Sequence, residues 1–90
     1  MNNIWRKQKK MKYLINLNEL GKVKEFVAVT QNLVEPVILR SGEYVVDAKS
    51  ILGILSLDLS KPVELEIKFS EKDSVSHIQS VYSLIKKFEG

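Results

Sequence analysis

The sequence predicts an α+β domain in two layers, of element order β-α-β-β-α-β-α, in which a four-stranded antiparallel sheet carries three helices on one face. Three patterns support that prediction. Val63, Leu65, Ile67 and Phe69 alternate with Glu64, Glu66 and Lys68, the period of a strand with one face buried and one wet. Apolar residues recur at three- and four-residue spacing over 20–34 and 75–88, as amphipathic helices require. Two short β-rich runs flank a Ser-Gly pair at 41–42, which reads as a tight hairpin turn. Helices stacked on one face of such a sheet make a two-layer domain.

In chain order, Tyr13-Leu14-Ile15-Asn16-Leu17-Asn18 reads as the first strand, with Tyr13, Ile15 and Leu17 on one face. Asn18 is the expected N-cap of a helix whose stripe is Leu20, Val23, Phe26, Val27, Thr30 and Leu33-Val34. Glu35-Pro36 breaks it, because proline disfavours helix for itself and its predecessor. Val37-Ile38-Leu39 and Tyr44-Val45-Val46 are the hairpin strands around Arg40-Ser41-Gly42-Glu43. A short helical element over 50–57 follows, and Pro62 closes the loop behind it. After the strand at 63–69, Asp73 is the expected cap of a last helix with Val75, Ile78, Val81-Tyr82, Ile85 and Phe88 inside. Lys86 and Lys87 fall in its last turn, where the helix dipole favours cations, and Gly90 ends the chain.

Ninety residues make one domain, and a chain of this size buries only about 60–65% of its unfolded surface. There is no cysteine, so neither disulfides nor a thiolate metal site is expected, in keeping with a cytoplasmic protein. No apolar run approaches the roughly 20 residues that span a membrane. The net charge of +3 is concentrated at one end: residues 1–10 hold Arg6, Lys7, Lys9 and Lys10 and no acid, and the remaining 80 are near neutral. No basic patch falls on the domain itself, which argues against a direct nucleic-acid partner. Residues 1–10 read as a basic, disordered extension and 11–90 as the folded domain, with Met11 a candidate natural start. MNNIWRKQKK is not followed by an apolar run, so it does not read as a secretory signal. The other reading of the extension is an arm carrying Trp5 toward an anionic partner.

The candidate functional stretch is DAKSILGILSLDLSKP, residues 47–62. Ser50 stands at the mouth of Ile51-Leu52-Gly53-Ile54-Leu55. A serine there caps free backbone N–H groups, and a helix N-terminus also tolerates a phosphate. One short helix cannot turn all four apolar residues inward, so some of Ile51, Leu52, Ile54 and Leu55 are expected beside the hydroxyl at the surface. An apolar patch next to a switchable hydroxyl suits docking. A short buried helix with an ordinary serine cap is the plainer reading.

VVDAKSILGILSLDLSKPVELEI resembles the second half of HPr, the histidine-containing phosphocarrier protein of the sugar phosphotransferase system, in its Gram-positive form. A weaker match spans about residues 11–90. The resemblance implies an HPr-like open-faced sandwich. It implies that Ser50 is the target of a dedicated serine kinase, and that Ile51, Leu52 and Leu55, with Lys49 at the rim, form a docking face for a transcriptional regulator of carbon metabolism. Family members commonly carry Met in that patch, a soft residue suited to varied partners; Leu52 and Leu55 stand here.

In HPr-like phosphocarriers the loop ahead of the first helix carries a histidine, a small residue, an arginine and a proline. Imidazole is a good nucleophile near neutral pH, and the helix N-terminus and arginine stabilise the phosphate. Counted from Leu20, those positions are Gly21, Lys22, Val23 and Lys24, a degenerate phosphohistidine loop with none of the three functional residues. A shift of one residue still finds no histidine. Lys22 and Lys24 read as solvated lysines. His77, the one histidine, reads as a partly exposed residue of the last helix without partners. Asp47 and Asp58 read as loop caps, and no cluster at metal spacing and no Gly-rich phosphate loop is present. No cofactor, metal or enzymatic activity is therefore expected.

Three readings result. The first is a non-catalytic regulatory HPr-like protein switched at Ser50. The second is an interaction module, monomer or weak homodimer, whose apolar patch binds an unknown partner without phosphorylation. The third is a working phosphocarrier.

Overall fold

The alternation over 63–70 becomes a central strand of the sheet. The computed structural model describes residues 8–90. Strand β1 (Gln8–Ile15) leads to helix α1 (Leu20–Thr30), then β2 (Val37–Ser41), β3 (Tyr44–Asp47), α2 (Ile51–Leu55), β4 (Val63–Ser70) and α3 (Val75–Ile85), with a closing 3-10 turn at Lys86–Phe88. The strands form one antiparallel sheet of order β1-β4-β2-β3. This is the predicted two-layer α+β order.

Val63, Leu65, Ile67 and Phe69 face the helices and are fully buried. Their ladder partners include Met11, Tyr13, Ile15, Val37 and Leu39, which belong to or pack on the same core. Val23, Phe26 and Val27 of α1, Ile54 of α2 and Val81 and Ile85 of α3 close that core from the other side. The Phe26 and Phe88 rings meet edge to face at 5.3 Å, a favoured aromatic geometry. Glu66 departs from the expected wet face: it is buried, with Arg40 Nη2 3.4 Å from its carboxylate.

Several boundaries differ from the sequence reading. The first strand starts at Gln8, which pairs with Ser70, so residues 8–10 of the expected extension belong to the sheet; residues 1–7, with Trp5, lie outside the described residues. The length of β4 explains the difference, because its last residues offer ladder partners to Gln8, Lys9 and Lys10. Helix α1 ends at Thr30 and leaves Val34 exposed. Its N-cap is Glu19, without a side-chain capping bond, while Asn18 Oδ1 accepts from Lys22 Nζ at 3.2 Å. Ser74 caps α3, accepting from the His77 N–H at 3.0 Å; Asp73 instead accepts from the Ser70 N–H at 2.8 Å. Val75, placed on the inner stripe by spacing, is exposed. The hairpin turns on Gly42-Glu43, with Gly42 at φ 59°, a left-handed conformation that glycine adopts without steric cost.

Candidate functional site

The lead-in to α2 is fixed from below. Ala48 is fully buried; its N–H donates to Val37 O at 2.9 Å and its carbonyl accepts from Thr30 Oγ1 at 2.9 Å. Asp47 Oδ1 accepts from the Lys49 N–H at 2.9 Å. Ser50 follows with extended backbone (φ −106°, ψ 112°), and its Oγ accepts from the Gly53 N–H at 3.1 Å. The hydroxyl is therefore a true N-cap and half-buried rather than sealed. Gly53 keeps the approach close, since a Cβ there would lie 3.3 Å from Val46 Cβ and 3.4 Å from Ser50 Oγ.

Behind the cap the four apolar residues divide. Ile54 is fully buried, Leu52 is 79% exposed and Leu55 is 47% exposed. Ile51 packs on the core, which makes it a half-buried edge of the patch. Lys49 is also half-buried, and its Nζ donates to Leu33 O at 2.6 Å. Its ammonium is thus directed at the stretch leaving α1. Leu55 shares a groove of about 150 Å³ with Leu17, Leu20, Val23 and Leu59, beside Asn18 and Glu19. Leu20 is itself exposed, so the entrance of α1 contributes apolar surface next to α2.

The four positions of the degenerate phosphohistidine motif fall where the helical stripe put them. Gly21, Lys22, Val23 and Lys24 lie inside α1, and Val23 is only 1% exposed. The stripe of Val23, Phe26 and Val27 must already be helical to reach the sheet, so the helix starts at Leu20 and the residues ahead of it are Asn18-Glu19. Asp47 and Asp58 cap local turns as expected, Asp58 through the Ser60 N–H at 3.1 Å and hydroxyl at 2.6 Å. The hydroxyl bond, foremost, holds the Asp58 carboxyl below its ordinary pKa.

His77 is not without partners, contrary to the sequence reading. Its Nε2 lies 2.5 Å from Glu35 Oε2, 42 residues away along the chain, and its ring meets Phe69 edge to face at 6.1 Å. The hydrogen bond to Glu35 raises its pKa; the charges of Glu35 and Asp73 act in the same direction, against a smaller desolvation effect. A sequence signal for Glu35 existed. Leu33, Glu35 and Val37 are buried while Val34 and Pro36 are exposed, so the stretch after α1 alternates like a strand and carries the acid inward.

The family model described as the phosphorylation site of the PTS HPr component matches residues 22–87. The chain belongs to the HPr family. It is accordingly a phosphocarrier-like protein related to the phosphotransferase system, whose members work through protein partners. The fold is similar to that of HPr-C-His from Thermoanaerobacter tengcongensis (TM-score 0.62, 22% identity, 88% of this chain and 92% of that one). It is also similar to the phosphocarrier protein HPr from Bacillus anthracis str. Ames (TM-score 0.60, 18% identity, 86% and 95%). Comparison with curated proteins finds no match. No helix among the described residues is long and apolar enough to cross a membrane.

Proposed function

We propose that this chain is a regulatory, non-catalytic member of the HPr family, cytoplasmic and without histidine phosphotransfer, and that it is switched by phosphorylation of Ser50. The observation that carries the reading is a half-accessible cap hydroxyl beside exposed Leu52 and Leu55. The single histidine supports it from the other side, because His77 sits on α3 against Glu35 and not at the entrance of α1. A serine kinase would transfer the γ-phosphoryl group of ATP to Ser50 Oγ, releasing ADP and a proton. The phosphate adds about −1.5 to −2 of charge where the N-terminal dipole of α2 accommodates it. A carbon-metabolism transcriptional regulator would then meet an apolar patch bordered by a dianion, with arginine as the fitting reader.

The test is mass spectrometry after incubation with the HPr serine kinase and ATP, and separately with the phosphoryl donor of the sugar system. One phosphate on Ser50 from the kinase and none from the donor is expected. Ser50→Ala should abolish the signal at a cost of about 1 kcal/mol in stability. Acid-labile phosphate on a histidine would restore the phosphocarrier reading. A protein that stays unmodified by the kinase would leave the second reading, in which the groove of Leu20, Leu55 and Leu59 binds its partner irrespective of phosphate.

A further inference from the structure

Where the stretch leaving α1 meets the start of α3, three ligand-bearing side chains converge. One ligand atom each from Glu35, Asp73 and His77 lies within 4.8 Å of the others. Their origins differ: Glu35 is carried inward between core residues Leu33 and Val37, Asp73 belongs to the turn before α3, and His77 lies in the first turn of that helix. Asp73 is held in place through one oxygen, Oδ2, by the Ser70 N–H.

A second observation points to a cation. Glu35 is only 5% exposed, and its Oε1 is buried with no hydrogen-bond partner. A buried carboxylate oxygen without a donor is costly, and a single half-exposed imidazole on the other oxygen compensates only part of that charge. We propose that Glu35, Asp73 and His77 form a binding site for a divalent first-row transition ion, Zn²⁺ above all, that ties the end of the α1 loop to the start of α3.

The donor set selects the ion. Imidazole with carboxylates suits zinc, copper and nickel, whereas magnesium and calcium call for six or more oxygens. Three protein ligands and one water complete a tetrahedral zinc shell. With metal–ligand bonds of about 2.0–2.2 Å, donor atoms stand about 3.4 Å apart. Binding therefore opens the 2.5 Å His77–Glu35 contact by about an ångström and brings an Asp73 oxygen to the same spacing. Those are side-chain movements at one polar seam and leave the sheet and the Ser50 cap alone. The proposal is independent of phosphorylation.

The chain has one histidine, so the imidazole ¹⁵N spectrum reports on this site without ambiguity. Full-length protein free of any polyhistidine tag, stripped with a chelator, is titrated with ZnCl₂ at about pH 8, because a low proton concentration favours the deprotonated ligands that metals bind. Calorimetry and NMR should both show saturable binding of one ion, with a shift of His77 Nε2, and MgCl₂ should give neither. His77→Gln and Asp73→Asn should each weaken binding by at least about tenfold; both side chains are more exposed than Glu35, and thermal melts verify that the variants fold. The absence of saturable binding, or an affinity unchanged in both folded variants, overturns the proposal.

Discussion

His77 carries a pH dependence whose sign follows from its partners. The groups facing its ring are the Glu35 carboxylate, the Asp73 carboxylate and the apolar edge of Phe69. The Glu35 hydrogen bond raises the folded-state pKa above the ordinary 6.5 of a free histidine, so the folded protein holds the proton more tightly than the unfolded chain. The pair's contribution is fully present below about 6.5 and disappears as pH rises through the raised value. With chelator present, the melting temperature of the wild type should fall across that window relative to His77→Gln; parallel profiles for the two proteins would refute this assignment. The pair was hidden in the sequence because its members are 42 residues apart, and only docking of α3 against the α1 loop brings them together. The Ser50 cap was legible because an N-cap and the N–H it satisfies lie three residues apart.

Among the elements, α2 depends on a bond it does not itself make. Thr30 at the end of α1 is fully buried and its hydroxyl donates to Ala48 O, which ties α1 to the segment that presents Ser50. Gln31 Nε2 adds a bond to Lys49 O at 3.3 Å. Thr30→Val keeps the shape and removes the donor, leaving a buried carbonyl without its partner. Chemical denaturation should show a loss of about 1–3 kcal/mol, and protection of the α2 amides from hydrogen exchange should decrease more than that of β4. Unchanged stability would mean that the Ala48 carbonyl finds another donor. Element types were readable where periodicity is local, as in β4 and α3, and boundaries were not. Asn18 and Asp73 both have the right chemistry for caps, yet tertiary packing starts the helices one residue later, after Glu19 and Ser74. Gly21–Lys24 were legible as helix, because Val23 belongs to the apolar stripe that docks on the sheet.

For the molecule as a whole, the margin is narrow. At about 0.05–0.15 kcal/mol per residue, ninety residues hold roughly 5–13 kcal/mol. Phe26 is fully buried and stacks edge-on against Phe88. Phe26→Ala should therefore cost about 3–5 kcal/mol, a large share of that total, seen as a single cooperative transition at much lower denaturant concentration. Survival of the full melting temperature would show that the core collapses around the gap. The last residues add a mechanical feature. The Asn16 N–H donates to Phe88 O at 2.8 Å and the Gly90 N–H to Leu14 O at 3.4 Å, which pairs Ile15 with Glu89, so the tail is clasped to the segment that runs into α1. Tension on the tail falls first on those two links, ahead of the longer β1–β4 zipper. Their release slackens the approach to Leu20 and blurs the groove it shares with Leu55, while the serine lid on α2 stays shut.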